Sequence, residues 1–486
     1  MPEALVQTEY PSQLEADRHY LEKSPLFTTK AHMKLLYKED EPEPIKPVEF
    51  GINEIPIGFK NGIFTRENLV TLDLKMNVQS GNAIERKAKS FFIPGIKGTG
   101  KTMMAKNIAI GMILKLFMPC LAIDVYDQGE LYKSAEPSFE DKKPDGSFEY
   151  SEAFRKTIDE ELADVGMKRQ GLKCFVIAPK FAGEGKRRVD KFYGLGYPQF
   201  ARMMGPDADA SMSILADFLG ITGNRANEDI LSQVMHDLSI DSWKQFKKAI
   251  EKVKDRYRKQ DRGKGPTIIL NSLDSLIASH AFTDDETEWI NLPEIVGTHQ
   301  MTIFRFKTRK DEDDSYSTQI YQAFIKMAFM ETKVELAKWL DKKDPACYIK
   351  SDNGVVIFLP EGETLAPRSG KCSIRGMTIN IALKDRKALL SSVTDTQSVE
   401  KVDLAFVEQS DFVITSVVEA QNKGFLRDRN ISDALIEDIF GKLRVGMQTS
   451  IKTEQSEFSI ISGKGQDMKH EECFGISPVC AWEKQN

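Results

Sequence analysis

Nowhere do the 486 residues offer an apolar run approaching the roughly twenty that a membrane-spanning helix needs. The N-terminal stretch MPEALVQTEYPSQLEAD has neither the basic start nor the apolar centre of a secretory signal. Cysteines are few and scattered, six in all, which argues against a disulfide framework and for a reducing, cytoplasmic compartment. Cys473 and Cys480, with His470 nearby, are spaced too loosely for a zinc site. A basic balance is missing too. The formal charge of −6 gives no whole-chain attraction to nucleic acid, so any such surface must be local. No repeat on the scale of roughly 20–50 residues is visible, which excludes a solenoid. What remains is an ordinary globular composition, 29% charged and 41% hydrophobic, long enough for about three average domains.

One stretch organises the rest: residues 89–118, KSFFIPGIKGTGKTMMAKNIAIGMILKLFM. Within it Gly95-Ile96-Lys97-Gly98-Thr99-Gly100-Lys101-Thr102 fits the phosphate-loop pattern G-x-x-x-x-G-K-[ST] at every fixed position. Glycines let successive backbone N–H groups turn inward around a phosphate with no side chain in the way. Lys101 would supply a mobile positive charge to the β- and γ-phosphates, and the Thr102 hydroxyl would ligate Mg²⁺. Phe91, Phe92 and Ile93 read as a buried strand feeding the loop. Ala105, Ile108, Ala109, Met112, Ile113 and Leu116 recur at helical spacing after it, and Pro119 stops the helix. Strand, loop and helix come in the order the motif demands. The candidate nucleotide-binding set is Gly95, Ile96, Lys97, Gly98, Thr99, Gly100, Lys101, Thr102 and Met103.

Around this stretch the chain divides by composition. Residues 1–47 read as an arm with one helix near 29–37 and a Pro-rich acidic linker, and 48–88 as a short β-rich lead-in. The expected core comprises 89–200 and 299–440, interrupted by a mostly helical insertion at 201–298 and followed by a C-terminal segment at 441–486. Apolar runs at 120–124, 174–178, 301–306, 354–359, 388–392 and 412–415 read as strands, and most alternate with helical stretches. That alternation predicts an α/β fold: a mostly parallel sheet with helices on both faces and ligands beyond the carboxyl ends of the strands. The P-loop, Asp124, Glu361 and Gln397 should therefore converge on one crevice. In the insertion, Trp243, Phe246, Ile250, Val253 and Tyr257 form one apolar stripe, while eight Lys and Arg residues cover the other sides. Such a helix could contact phosphates or could be a solvated face over a core stripe.

The order of motifs resembles the HerA–FtsK superfamily of ring-forming DNA-pumping ATPases, and its HerA branch most closely. The likeness rests on four pieces: the P-loop, preceded by the strand at 70–74; Leu121-Ala122-Ile123-Asp124 with Gly129-Glu130-Leu131 beyond it; VVIFLPEGETLAP at 355–367; and residues 386–414 with Thr396-Gln397 and Gln409-Ser410-Asp411. The resemblance implies a P-loop NTPase fold of the RecA/ASCE type, with ATP and Mg²⁺ as cofactors. It implies a homo-oligomeric ring, a hexamer, acting on double-stranded DNA, with a nuclease or another DNA-processing or packaging protein as partner. Carried over residue by residue, it implies that Glu361 polarises the attacking water and Gln397 senses the γ-phosphate. It further implies that Arg386 reaches into a neighbouring subunit's site.

The chain departs from the family in one place. Pro360 stands where the family has its Mg²⁺-associated carboxylate, and Glu363 where it commonly has His. Proline offers a metal no side-chain ligand. Either Glu361 serves the metal and Glu363 the water, or Thr102 and waters suffice for Mg²⁺, or the site binds ATP and hardly hydrolyses it. The competing functional class is accordingly a nucleotide-dependent switch or scaffold.

Overall fold

The computed structural model describes residues 54–125, 172–202, 214–306, 315–443 and 457–475, apart from 61–65, 75–76, 81–82, 181–188, 222, 236–238, 259–263, 298–299, 370–373, 384–387 and 464–468. The expected helix at 29–37, the Gly129-Glu130-Leu131 step and Arg386 lie outside the described residues.

Twelve strands form one sheet and two a separate hairpin. In chain order they are β1 (Glu54–Phe59), β2 (Leu69–Asp73), β3 (Asn77–Ser80), β4 (Ala83–Arg86), β5 (Ser90–Pro94), β6 (Cys120–Val125) and β7 (Lys173–Pro179). Then come β8 (Lys191–Tyr193), β9 (Gln300–Phe306), β10 (Val355–Leu359), β11 (Leu390–Thr396), β12 (Phe412–Thr415), β13 (Glu457–Ser462) and β14 (Lys469–Gly475). The sheet runs β2-β1-β14-β13-β12-β5-β11-β10-β6-β9-β7-β8. Neighbours from β12 to β8 are parallel, whereas β13, β14, β1 and β2 extend the sheet in antiparallel fashion.

The central strands are apolar because both of their faces are covered. Phe92, Leu121, Ile123, Ile357 and Leu359 belong to the core on one face, together with Phe246, Ile269 and Leu273 from residues 243–278. Phe91, Ile93, Ala122, Val356 and Phe358 point to the other face and pack with Met104, Ile108 and Met112 of helix α1 (Lys101–Leu116). Close approach shapes that second face. A Cβ on Gly111 would stand 2.5 Å from Ile55 Cγ2, so only glycine lets β1 lie this near the helix. The helix ends at Phe117 in the left-handed region (φ 54°), and Asn353 Nδ2 donates to the Leu116 carbonyl at 2.9 Å.

Helices α2 (Arg225–Met235), α3 (Trp243–Arg258) and α4 (Lys264–Ala278) lie within residues 201–298. Trp243 fixes α3 to the chain beyond β8. Its ring stacks on Phe282 at 3.8 Å between centroids and its indole N–H donates to the Leu195 carbonyl at 2.6 Å. Asp284 caps the helix by accepting the backbone N–H groups of Trp243 (2.7 Å) and Lys244 (3.2 Å). With Trp243, Phe246, Ile250 and Val253 buried, Lys244, Lys248, Lys252 and Arg256 stand exposed along one ridge at a spacing of one helical turn.

Strand β11 departs from the sequence reading, which stopped it at Ser392. It continues to Thr396, although Ser391, Ser392, Thr394, Asp395 and Thr396 are polar, and all five are at most 1% exposed. Parallel ladders to β5 and β10 satisfy its backbone, and Ser391, Asp395 and Thr396 find side-chain partners, while Thr394 Oγ1 is buried without one. That extension carries Asp395 into the site.

Candidate active site

The P-loop leaves β5 and is fastened at its start to two neighbouring strand ends. Gly95 N–H donates to the Thr396 carbonyl (3.1 Å) and Ile96 N–H to the Val417 carbonyl (2.9 Å). A Cβ on Gly95 would sit 2.1 Å from Ser416 Oγ, so that position has no room for a side chain. Gly98 and Gly100 take φ of 86° and 74°, a backbone conformation that glycine adopts without cost. Gly100 is the N-cap of α1, and a glycine cannot cap the first-turn N–H groups with a side chain. Those groups, the helix dipole and the turned loop are the elements of an anion cradle. Lys101 opens the helix and is buried to 5% exposure. Met103, at its third position, packs beside the core under the loop.

Asp395 lies next to this cradle. Its Oδ2 accepts from the Thr102 hydroxyl at 2.6 Å and its Oδ1 accepts from the Glu361 backbone N–H at 3.0 Å. One fully buried carboxylate thus joins the first turn of α1 to the end of β10. Glu361 sits in the left-handed region (φ 56°, ψ 56°) as the N-cap of the short helix α5 (Gly362–Leu365). Residues other than glycine are held there at a cost of about 1–2 kcal/mol. The constraint comes from the Asp395 bond and from the Glu361 carbonyl, which accepts from Thr364 N–H at 2.8 Å.

Gln397 and Glu363 complete the arrangement. Gln397 Nε2 donates to Glu361 Oε1 at 3.1 Å. Glu363 accepts from the Thr396 hydroxyl at 2.6 Å with Oε2 and from Gln397 N–H at 3.2 Å with Oε1. Both Glu363 oxygens are therefore engaged in holding the turn after β11, whereas the described partner of the Glu361 carboxylate is Gln397 alone. Burial pushes the Glu361 carboxyl up to about 7, helped by the negative charges of Glu363 and Asp395. The Lys101 ammonium and the Gln397 hydrogen bond pull it down. A carboxyl titrating near neutrality suits a general base.

Lys101, Thr102, Glu361, Glu363 and Gln397 thus meet at the carboxyl ends of β5, β10 and β11. Asp124 is the penultimate residue of β6, the strand beside β10, and pairs in register with Arg305 of β9, both buried. Asp395 is the residue that sequence reasoning missed, although it lies two positions before Gln397 and its signal was a carboxylate inside the T-D-T-Q run. The oxygen donors beside the P-loop, the Thr102 hydroxyl and a carboxylate, are hard ligands of the kind Mg²⁺ takes. Among the described residues no cluster of three His, Cys, Asp or Glu side chains forms a separate metal site, and no helix is long and apolar enough to cross a membrane.

No protein-family model and no curated protein matches the sequence. Solved structures do align with it. VirB4 of Thermoanaerobacter pseudethanolicus is 13% identical with a TM-score of 0.47, covering 89% of this chain and 100% of its own. The bacterial conjugative coupling protein TrwBdeltaN70 is 10% identical at 0.40, covering 89% and 91%. The genome packaging NTPase B204 from Sulfolobus turreted icosahedral virus 2, in complex with AMPPCP, is 10% identical at 0.30, covering 79% and 97%. The topology of the chain itself fixes the fold. With a P-loop between β5 and α1, and with β11 inserted between β5 and the β10 strand that leads to Glu361, this is a P-loop NTPase fold of the RecA/ASCE type.

Proposed function

We propose that the chain is a cytoplasmic P-loop ATPase that binds ATP with Mg²⁺ and couples its hydrolysis to DNA movement as a homo-oligomeric ring of HerA–FtsK type. The observation that carries the chemistry is the Gln397–Glu361 hydrogen bond beside Lys101 and the P-loop. The backbone from Gly95 to Met103 would wrap the phosphates, and Lys101 would meet the β- and γ-phosphate oxygens. Mg²⁺ bound with the nucleotide would neutralise phosphate charge and fix the phosphate chain. Glu361, held by its backbone at Asp395, would take the proton of the attacking water. A glutamine amide has two N–H donors. One reaches Glu361, so the other is available to the γ-phosphate, and a single side chain can align base and phosphate. Arg386 is proposed to complete a neighbour's site, where an arginine finger supplies charge to the transition state.

The DNA half of the reading rests on other residues. The family-like motifs around Glu361 and Gln397 support it, as does the exposed ridge Lys244, Lys248, Lys252 and Arg256. Charges one helical turn apart, about 6 Å along the axis, suit a row of phosphates. Burial of Cys120 and Cys347 as free thiols supports a reducing compartment. The test is the ATPase rate of the purified protein with and without double-stranded DNA. The reading expects several-fold stimulation. Unstimulated turnover would instead favour the nucleotide switch or scaffold, and no turnover at all would remove the ATPase reading.

A further inference from the structure

Resting on the nucleotide-binding reading, we infer that Asp395 is the carboxylate that serves Mg²⁺ in this site, supplied by β11 instead of by the strand that leads to Glu361. At the end of β10 the chain has Pro360, which is buried and has no ligand atom in its side chain. The same niche is filled from the neighbouring strand. Asp395 is fully buried and spends one oxygen on the P-loop hydroxyl, at 2.6 Å, and the other on Glu361 N–H, at 3.0 Å.

Among the described hydrogen bonds, the one to the P-loop hydroxyl comes from Asp395, and the rival carboxylates face other partners. Glu363 uses both oxygens on Thr396 and Gln397, and so acts as a positioning residue for the sensor turn. The Glu361 carboxylate faces Gln397 and feels the Lys101 ammonium, which fits a role toward water. A carboxylate in contact with the Thr102 hydroxyl is placed to hold that hydroxyl with its lone pairs toward a hard cation, and to share the cation's charge itself. An Asp–Thr pair of this kind explains why Pro360 is tolerated. It also makes one side chain responsible for both the metal and the backbone of the proposed base.

The experiment compares wild type, Asp395→Asn and Lys101→Ala by the affinity of a non-hydrolysable ATP analogue, AMP-PNP, measured with Mg²⁺ and again with EDTA. Asn keeps the size of the side chain and an acceptor for Glu361 N–H but removes the charge. Wild type should bind tighter with Mg²⁺ than without. In Asp395→Asn most of that gain should vanish, a loss of about tenfold or more, while affinity in EDTA stays within about threefold of wild type. Electron paramagnetic resonance of Mn²⁺ in place of Mg²⁺ should show a matching loss of nucleotide-dependent metal binding. Should Asp395→Asn fail to show a cooperative melting transition, Asp395→Ser carries the same two measurements. An unchanged Mg²⁺ dependence in the folded variant overturns the inference and leaves nucleotide binding standing. Equal binding by wild type and Lys101→Ala, or none by wild type, overturns the nucleotide reading itself.

Discussion

The Thr102 hydroxyl donates to Asp395 Oδ2 at 2.6 Å, so the first turn of the P-loop helix is hydrogen-bonded to β11, the strand beside the one that leads to Glu361. Asp395 then passes the connection on through its second oxygen to Glu361 N–H. Anything that shifts the start of α1 will be felt at the proposed base through two hydrogen bonds and one side chain.

Lys101→Ala should abolish hydrolysis, by roughly a hundredfold or more, while leaving a folded protein. Lys101→Arg should do nearly the same, because a planar guanidinium does not fit a compact point-charge site. Steady-state phosphate release with a melting curve for each variant checks both statements. Normal turnover in Lys101→Ala would end the P-loop assignment.

Two glutamates two residues apart should behave differently. Glu361→Gln is expected to bind nucleotide and to lose about 10²–10⁴-fold in turnover, since an amide cannot take a proton. Glu363→Gln keeps an acceptor oxygen and should be milder, acting through a looser Gln397 turn. Single-turnover hydrolysis after confirmed binding ranks them. The reverse ranking would move the base to Glu363.

The raised Glu361 carboxyl has a signature in stability against pH. In the unfolded chain it titrates near its ordinary 4.5, and in the folded protein at about 7. Between those values the folded state holds the extra proton, so the contribution of this group is fully present below pH 4.5 and is lost as pH rises through 7. Melting temperatures without nucleotide or Mg²⁺ should therefore show Glu361→Gln gaining on wild type across that window. Parallel curves would contradict the shift.

Replacing Lys244, Lys248, Lys252 and Arg256 with alanine should weaken DNA binding and flatten its salt dependence. Each lost phosphate contact lowers the log–log slope by about 0.9. The ATPase rate measured without DNA should not change, because these side chains lie on the exposed ridge of α3, away from the P-loop. DNA affinity at several salt concentrations decides it. An unaltered slope would return the ridge to an ordinary solvated face.

Arg386→Ala subunits should bind nucleotide and hydrolyse it poorly. Mixed with Lys101→Ala subunits, they should regain partial activity, because the shared interface then holds one intact P-loop and one intact arginine. No recovery in confirmed mixed assemblies would remove the trans-acting role.

The apolar part of this architecture was legible in the sequence. Runs such as Phe91-Phe92-Ile93 and Val355 to Leu359 can be buried on both faces only inside a covered parallel sheet, and they are. The P-loop was legible because its backbone geometry demands glycine at fixed places. Asp403, directly before the helix Leu404–Gln409, caps it by accepting from Ala405 N–H, a role its residue type suits. Strand β11 was only half legible. Hydropathy fails for Ser391, Asp395 and Thr396, whose burial depends on partners far away in sequence, such as Lys89, Thr102 and Glu363. The pairing of β1 with β14 was hidden for the same reason, since neither strand carries a local mark of its partner.

That pairing bears on how the molecule is made. β1 and β2 leave the ribosome early, yet β1 joins the large sheet through Gly58 and Phe59 against Gly475 and Phe474, near the far end of the described chain. Until β13 and β14 are synthesised, β1 has β2 beside it and α1 beneath it, but no strand on its other edge. Contacts this distant in sequence form late and slowly. A nascent chain should therefore expose an open strand edge from the emergence of β1 until that of β14, which is the condition under which chaperones, or aggregation, compete with folding.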